Sequence, residues 1–173
     1  PEPLRRLPPD DPVALPHADI PEPDLSQPQR EVVNLAGGDL GNLDRAWVKG
    51  ELLEKAELYI RGKMWAMNGA AQWCSELGGL RPIFTVERGR TVDITFRNHS
   101  AWPHPMHLHG HSFKVIEHPG KPDQEGIWLD TVVVGPQETV RVAFVADNPG
   151  DWLFHCHILG HARAGMLTLV SVV

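Results

Sequence analysis

The sequence predicts an all-β sandwich preceded by an extended, proline-rich segment. From residue 57 onward, short runs of β-branched and aromatic residues alternate with Gly, Pro, Asn and Asp at intervals typical of a sandwich. Residues 91–97 alternate apolar and polar side chains with a period of two, which places Val92, Ile94 and Phe96 on one buried face. We therefore expect antiparallel sheets with one face toward solvent. The strands are predicted at 58–65, 83–87, 91–97, 107–117, 131–134, 139–145, 151–155 and 166–173.

Proline divides the chain before this sandwich. Nine of the 16 prolines fall within residues 1–28. Each proline fixes φ and removes a backbone donor, so residues 1–30 are predicted to be extended, as a linker between domains or an arm that wraps another surface. Further along, 37–42 predicts a turn and 52–56 a single helical turn. We assign 1–56 to this linker or arm and a connecting segment, and 57–173 to the sandwich domain.

Composition excludes several classes of protein. A chain of 173 residues suffices for one domain with a tail, and its net charge of −6, without a Lys- or Arg-rich block, argues against binding of nucleic acid. No apolar run approaches the roughly 20 residues of a membrane span. Two cysteines form at most one disulfide, so a disulfide-stapled mini-domain is excluded. The chain begins at Pro1 without a signal peptide, and we expect that a preceding segment has been removed.

The most informative feature of the composition is histidine, since six of the ten histidines fall within residues 104–109 and 155–161. In the first window, His107 and His109 are two residues apart and so share one face of a strand. His104 lies three residues before His107 and is separated from the predicted strand by Pro105. It is therefore free to turn toward a different site. This window therefore aims one pair of imidazoles at one point.

The second window places ligands on both sides of a strand. Cys156 points to one side, whereas His155 and His157 point to the other, so one tripeptide is able to join two metal centres. On the Cys156 side, His161 follows five residues later and Met166 five after that. With His104 these residues supply two imidazoles, a thiolate and a thioether, which describes a trigonal blue-copper site with a long axial Met.

Alternative interpretations explain single residues of the two windows better than they explain the complete set. A lone histidine is usually an ordinary surface or core residue, and we read His17, His99, His111 and His118 in this way. Cys156 taken alone fits a buried thiol, and Met166 a core residue. Structural zinc is the rival metal, yet it favours four closed ligands and gains nothing from an axial thioether. The combined pattern favours copper.

Two motifs carry a family resemblance. HPMHLHGHSF at 104–113 and HCHILGHARAGM at 155–166 resemble the paired copper signatures in the last domain of multicopper oxidases, the group that includes laccases. The resemblance covers roughly 57–173 and implies a cupredoxin fold, a Greek-key β-sandwich. It also implies a laccase-like oxidoreductase with copper as cofactor and dioxygen as acceptor, in a periplasmic or secreted, and hence extracytoplasmic, location.

The resemblance also assigns a role to each ligand by its place in the motifs. It makes His107 a ligand of the type 2 copper of a trinuclear cluster, and it makes His109, His155 and His157 ligands of the type 3 pair. The type 1 copper receives His104, Cys156, His161 and Met166. In the implied mechanism a small reducing substrate gives single electrons at the edge of His161, and Cys156 passes them through His155 and His157 to the cluster, which reduces dioxygen to water.

The sequence departs from the family pattern at two points. Many bacterial relatives have a Glu directly after the second type 1 His, and this Glu is thought to help deliver protons. This chain has Ala162 there, so the sequence does not identify the residue that delivers protons. The chain also lacks the further His-x-His motifs that supply half of the trinuclear ligands in relatives. We therefore expect other cupredoxin domains, in the same polypeptide or a separate chain, to complete the cluster. Cys74 is expected to be no copper ligand.

Two further functions are compatible with these residues. A one-electron blue-copper carrier needs only the type 1 ligands. It gives no function to the four imidazoles that the resemblance assigns to the trinuclear cluster. A non-catalytic copper-binding or structural relative would be expected to have lost ligands, and none is lost here. The oxidase domain is therefore the favoured interpretation.

Overall fold

The computed structural model describes residues 19–73 and 79–173, which form two β-sheets, a small hairpin and two short helices. The strands are β1 Gln29–Gly37, β2 Arg45–Val48, β3 Glu51–Glu54, β4 Trp65–Met67, β5 Pro82–Val86, β6 Thr91–Asn98, β7 His104–Leu108, β8 Phe113–Glu117, β9 Trp128–Leu129, β10 Thr131–Val134, β11 Thr139–Val145, β12 Gly150–Cys156 and β13 Leu167–Val172. The six strands of the first sheet lie in the order β4-β1-β6-β11-β8-β9, and the five of the second in the order β10-β7-β12-β13-β5. The helices are α1 Lys55–Ile60 and α2 Leu159–Arg163.

The hydrophobic core lies between the two sheets, as the all-β sandwich prediction requires. Val92, Ile94 and Phe96 of β6 are buried, and they join one core cluster with residues of the second sheet. The rings of Phe96 and Phe154, one from each sheet, lie 5.8 Å apart. The predicted alternation along 91–97 is thus confirmed for its apolar face, and the fold class is confirmed. Neither helix in the part of the chain that the structure describes has the length or the apolar run of a membrane-spanning segment.

The first sheet differs from the prediction of antiparallel strands with a solvent-facing side. β1 lies parallel to β6, in register from Gln29↔Val92 to Leu35↔Asn98, and β13 lies parallel to β5 in the second sheet. Strand β1 precedes residue 57, so the sheet extends into the segment expected to be a connection. Residues 1–18, which hold most of the proline-rich segment, lie outside the described residues.

The structure differs from the predicted strand at 58–65 and from the predicted helical turn at 52–56. The run 58–65 holds the end of α1 and the start of β4, because Lys55, Ala56 and Glu57 favour a helix and its apolar residue Leu58 is the one that becomes buried. Most of the expected helical turn at 52–56 is strand β3, which pairs with β2 across Lys49 and Gly50, both at positive φ. Such a two-residue turn matches the twist of a hairpin.

The predicted strand 107–117 is two strands in different sheets. β7 ends at Leu108 and β8 begins at Phe113, with Gly110 between them at φ 71°. A Cβ at Gly110 would lie 2.3 Å from the ring of Trp152, so only glycine fits this reversal. The break lets β7 stay beside β12 while the chain crosses to the other sheet.

A buried ion pair joins β6 to β11. Arg141 donates from Nε and Nη2 to the two carboxylate oxygens of Asp93, at 2.8 and 2.7 Å, and Nε of Arg30 lies 3.8 Å from the same carboxylate. The side chain of Asp93 is 3% exposed, so the sheet face that was predicted to lie toward solvent is covered at this position. A carboxylate this deep requires its cationic partners.

Replacing Arg141 by alanine is expected to lower the free energy of unfolding by about 2–4 kcal/mol, because a buried carboxylate would keep only the more distant Arg30. The matched control is Arg97→Ala, which removes an exposed guanidinium from β6 and should change stability by no more than about 0.5 kcal/mol. Urea unfolding followed by circular dichroism measures both. Equal effects of the two changes would contradict the structural role of the pair.

Candidate metal centres

The two histidine windows begin on neighbouring strands of the second sheet, β7 and β12. β7 and β12 are antiparallel, with His107 opposite His155 and Met106 opposite Cys156. Because side chains alternate along a strand, the imidazoles of His107 and His155 emerge on one side while Cys156 faces the core. This register brings the windows together as two separate ligand groups.

His104, Cys156 and His161 form the first group. The Cys156 Sγ lies 3.7 Å from Nδ1 of His104 and 3.7 Å from Nδ1 of His161, and the two Nδ1 atoms are 3.2 Å apart. One metal ion bound at about 2.0–2.3 Å from each donor would span such a triangle. His104 and Cys156 have no exposed surface, and His161 is partly exposed.

A tight loop returns His161 and Met166 to Cys156. The Met166 N–H donates to the carbonyl of His161 at 3.0 Å, and the Cys156 N–H donates to the carbonyl of Met166 at 3.1 Å. Gly165 makes the reversal at φ 123°, where a Cβ would lie 2.1 Å from the Trp65 carbonyl oxygen. Met166 is therefore fully buried and fixed through its backbone to two residues of the first group.

Ser100 and Trp65 hold the imidazoles of the first group. The Ser100 hydroxyl lies 2.8 Å from Nε2 of His104 and donates to Asn98, so it accepts from Nε2–H and leaves Nδ1 of His104 to face the thiol. The ring of Trp65 lies against His161 with centroids 4.2 Å apart. Sequence reasoning missed both supports, because neither lies in a histidine motif.

Burial sets the protonation of the first group without a metal. Burial, with the neighbouring His161 as a second cause, lowers the pKa of His104 to about 4, and burial also lowers the pKa of His161. Burial raises the pKa of the Cys156 thiol to about 11. At neutral pH the imidazoles are therefore ready to ligate, whereas a metal must displace the thiol proton.

His107, His109 and His155 form the second group, with ligand atoms within 4.8 Å of one another. Nε2 of His109 lies 3.0 Å from Nε2 of His155. The exposed ring of His157 lies beside them, 5.5 Å from the His107 ring centroid, but outside the group of three. Burial, then the neighbouring imidazoles, lower the pKa of His109; for His155 burial is again the first cause.

Hydrogen bonds aim the imidazoles of the second group. Nδ1 of His107 lies 2.9 Å from both the Asp130 carbonyl and the Thr131 hydroxyl, and that hydroxyl donates to the Asp130 carboxylate. Nδ1 of His155 donates to the Cys156 carbonyl at 2.9 Å. Nε2 of each ring is thereby left as a lone-pair donor, which is how protein scaffolds fix metal-binding histidines. Asp130 and Thr131 were not predicted, because their role depends on the pairing of β10 with β7.

The remaining histidines lie outside both groups. His99 is exposed and within hydrogen-bonding distance of Asn34, His111 packs edge-on against the ring of Trp152, and buried His118 lies 3.2 Å from the Glu138 carboxylate. His17 and Cys74 lie outside the described residues, so the interpretation of both stays a prediction.

Comparison with known families shows to which family the chain belongs. Residues 53–173 match the family model described as multicopper oxidase. The chain belongs to the multicopper oxidase family. The resemblance of the two motifs to this family is thus confirmed, and copper is the metal that the family implies.

Several named proteins are similar to the chain over about half its length. The multicopper oxidase MmcO of Mycobacterium tuberculosis is 42% identical over 88 residues, which are 51% of this chain and 17% of that protein. The iron transport multicopper oxidase fio1 of Schizosaccharomyces pombe is 38% identical, over 49% of this chain and 15% of that protein. Laccase-2 of Fomitopsis schrenkii is 39% identical, over 51% of this chain and 18% of that protein. The chain thus matches less than a fifth of each of these relatives.

Solved structures extend the likeness to almost the whole chain. The multi-copper oxidase from Pseudomonas thermotolerans has a TM-score of 0.66 and 31% identity, over 95% of this chain and 34% of that one. The metallo-oxidase from Campylobacter jejuni has a TM-score of 0.63 and 25% identity, over 94% and 34%. These neighbours are cupredoxin-fold multicopper oxidases, which confirms the cupredoxin-like sandwich.

The first group fits copper on its own chemistry. Two imidazole nitrogens and a thiol sulfur converge in a buried triangle, the donor set of a type 1 copper. Closed structural zinc sites use a fourth strong ligand, and no further His, Cys, Asp or Glu joins this group among residues 19–73 and 79–173.

Proposed function

We propose that the chain is the oxidase domain that accepts electrons singly at a type 1 copper and passes them to a trinuclear cluster that reduces dioxygen to water. One observation carries this proposal: Cys156 belongs to the first ligand group, and the residue bonded to it, His155, belongs to the second. Two metal centres are thus joined through adjacent residues of one strand.

The proposed roles follow the two groups. Cys156, His104 and His161 would hold the type 1 copper, with Met166 as a further ligand. In the trinuclear cluster, His107 would hold the type 2 copper, and His109, His155 and His157 would hold the type 3 pair. The catalytic residues are those on the electron path, namely His155, Cys156, His157 and His161.

The side chains supply a short and rigid path between the centres. When bound, copper would supply the one-electron and oxygen chemistry that side chains lack. His161 is the most exposed member of the first group, so its imidazole edge is where a donor approaches. Cys156 is bonded to His155 and His157, and the hydrogen bond from His155 to the Cys156 carbonyl fixes one arm of the path.

The second ligand group favours an oxidase over a one-electron carrier. A carrier gives no reason for three imidazoles to converge with Nε2 atoms as close as 3.0 Å, at a cost in desolvation. The hydrogen bonds that orient His107 serve no purpose without a metal at that place. A non-catalytic copper-binding or structural relative likewise has no need of the second group.

The partners follow from the incomplete second group. The chain supplies half of the histidines of such a cluster, so we propose that other cupredoxin domains, in the same polypeptide or a separate chain, complete it. A small reducing substrate and dioxygen are the proposed reactants, in the periplasm or outside the cell. The division into 1–56 and 57–173 stays a prediction, and β1 shows that residues 29–37 pack with the sandwich domain.

The function is tested in the protein that includes the completing domains, with an oxygen electrode and a phenolic donor. His107→Ala and His157→Ala are expected to abolish oxygen uptake while sparing the blue colour, because neither residue belongs to the first group. His99→Ala, an exposed histidine outside both groups, is the matched control and should keep both properties. Full oxygen uptake by either cluster variant would contradict the proposed function.

A further inference from the structure

Three buried polar side chains form one chain of hydrogen bonds that ends on the first ligand group. Asn98 is the last residue of β6 in the first sheet, and His104 is the first residue of β7 in the second. Both are buried, as is Ser100 between them. Burial of a polar group is costly unless its hydrogen bonds are made. An apolar side chain at residue 98 or 100 would avoid that cost, so the polar chain points to a role beyond packing.

The side-chain amide of Asn98 is held in one orientation. Its Nδ2 donates to the carbonyls of Trp102 at 2.7 Å and Gly135 at 2.8 Å, with the Val134 carbonyl at 3.2 Å as a further acceptor. Its Oδ1 accepts from the Ser100 N–H at 2.9 Å and from the Ser100 hydroxyl at 2.8 Å. A rotation of the amide by 180° would set its oxygen against three carbonyl oxygens. The acceptor beside the Ser100 hydroxyl is therefore fixed in place.

The Ser100 hydroxyl has one proton to donate. Oδ1 of Asn98 lies 2.8 Å from the hydroxyl oxygen, and the Trp102 carbonyl, which also accepts from Asn98, lies 3.1 Å from it. With the proton directed to either acceptor, the hydroxyl oxygen presents a lone pair to Nε2 of His104, 2.8 Å away. A neutral imidazole carries one ring proton, so this lone pair favours the proton on Nε2 and leaves Nδ1 without one.

The turn between β10 and β11 holds the backbone of this chain. Gln137 adopts φ 57°, and its side-chain amide donates to the Ser100 carbonyl at 3.0 Å. The Asn98 N–H donates to the Glu138 carbonyl at 2.9 Å, and the Glu138 carboxylate closes the turn by accepting from the Gly135 N–H at 2.6 Å. A left-handed φ is unfavourable for glutamine, so the bond to Ser100 helps to offset that cost.

We propose that Asn98 is a positioning residue, which fixes the direction of the Ser100 hydroxyl and thereby the tautomer of His104. Nδ1 of His104 is the ring atom that lies 3.7 Å from the Cys156 sulfur. In the other tautomer a proton on Nδ1 would face the thiol, and a metal binds an imidazole only through a nitrogen without a proton. The tautomer does not depend on the proposed function, whereas its consequence for copper rests on it.

Nitrogen-15 NMR of the copper-free chain at neutral pH measures the tautomer, because protonated and unprotonated ring nitrogens differ in chemical shift. In the unchanged chain the ring proton of His104 is expected on Nε2. Ser100→Ala removes the acceptor of that proton, and Asn98→Ala releases the hydroxyl to donate to Nε2. Each change is expected to shift the ratio of the tautomers about tenfold or more toward Nδ1–H. A proton that stays on Nε2 in both variants would overturn the inference.

Two further variants separate positioning from general support of the fold. Asn98→Asp keeps an acceptor for the Ser100 hydroxyl but loses the donors to three carbonyls, so it should lower the melting temperature as Asn98→Ala does, yet keep the ring proton on Nε2. Asn34→Ala is the matched control, because Asn34 also lies 3.0 Å from a histidine ring, that of His99, outside both ligand groups. It should leave the His104 shifts unchanged.

An equal shift of the tautomer ratio in Asn98→Asp and Asn98→Ala would show a role in the fold alone and would overturn the inference. If neither Asn98 variant folds, Ser100→Ala decides, since it removes one buried oxygen without adding volume. A ring proton that stays on Nε2 in that variant would again overturn the inference.

Copper binding is the second readout. Ser100→Ala and Asn98→Ala are expected to lower the affinity for copper(II) about tenfold or more and to raise the reduction potential, because an acceptor on Nε2–H makes Nδ1 a more basic ligand. Asn34→Ala should change neither quantity. Unchanged affinity and potential in all three variants would overturn the role toward copper. If the loaded chain has no blue colour while the tautomer shifts as expected, the proposed function fails and the positioning role stands.

Discussion

Replacing Cys156 by serine is expected to abolish the blue colour of the copper-loaded protein completely. The colour of a type 1 site arises from charge transfer from a thiolate to copper(II), and a serine hydroxyl neither ionises at neutral pH nor offers a soft donor. Cys156 is fully buried at one corner of a triangle with His104 and His161, so no water or neighbouring side chain replaces its sulfur. Oxygen uptake by the complete protein should be lost with the colour.

The serine side chain has nearly the shape of cysteine, so the sandwich should remain folded. Visible absorption measures the colour, and far-ultraviolet circular dichroism checks the fold. Cys74→Ala is the matched control and should keep its blue band and copper content, since no histidine lies near it in the sequence. A blue Cys156→Ser protein would contradict the type 1 assignment.

The second large effect concerns the second ligand group. By itself the copper-loaded chain should lose its blue colour when a phenolic donor is added, yet it should show negligible oxygen uptake. The reason is geometric: His107, His109 and His155 converge from one side only, and His157 is exposed beside them. Combined with domains that supply the remaining histidines, the same chain should consume oxygen. Uptake by the separate chain at the rate of the complete protein would contradict a shared cluster.

The local patterns of the sequence were sufficient to predict the sandwich and the separation of Cys156 from His155. Period-two alternation predicted the buried face of Val92, Ile94 and Phe96. The same alternation predicted that Cys156 and His155 would lie on opposite sides of a strand, and the structure places them in different groups. Both inferences need only neighbours within a few residues.

The rest depended on contacts between distant segments. The residues of strand β1 show only a weak strand pattern in the sequence, and it is their parallel pairing with β6 that places them inside the sheet. Asp93 reads as a solvent-facing residue until Arg141 is placed beside it. Ser100, Trp65 and Asp130 support the imidazoles through hydrogen bonds and ring contacts that no motif encodes.

The number of coppers bound by the separate chain tests the shared cluster most directly. Atomic absorption on the purified 173-residue monomer, loaded with excess copper and freed of loosely bound metal, should give about one copper per chain, because only the first group is closed around its site. The complex with the completing domains should give about four. Four coppers on the strictly monomeric chain would contradict the shared cluster.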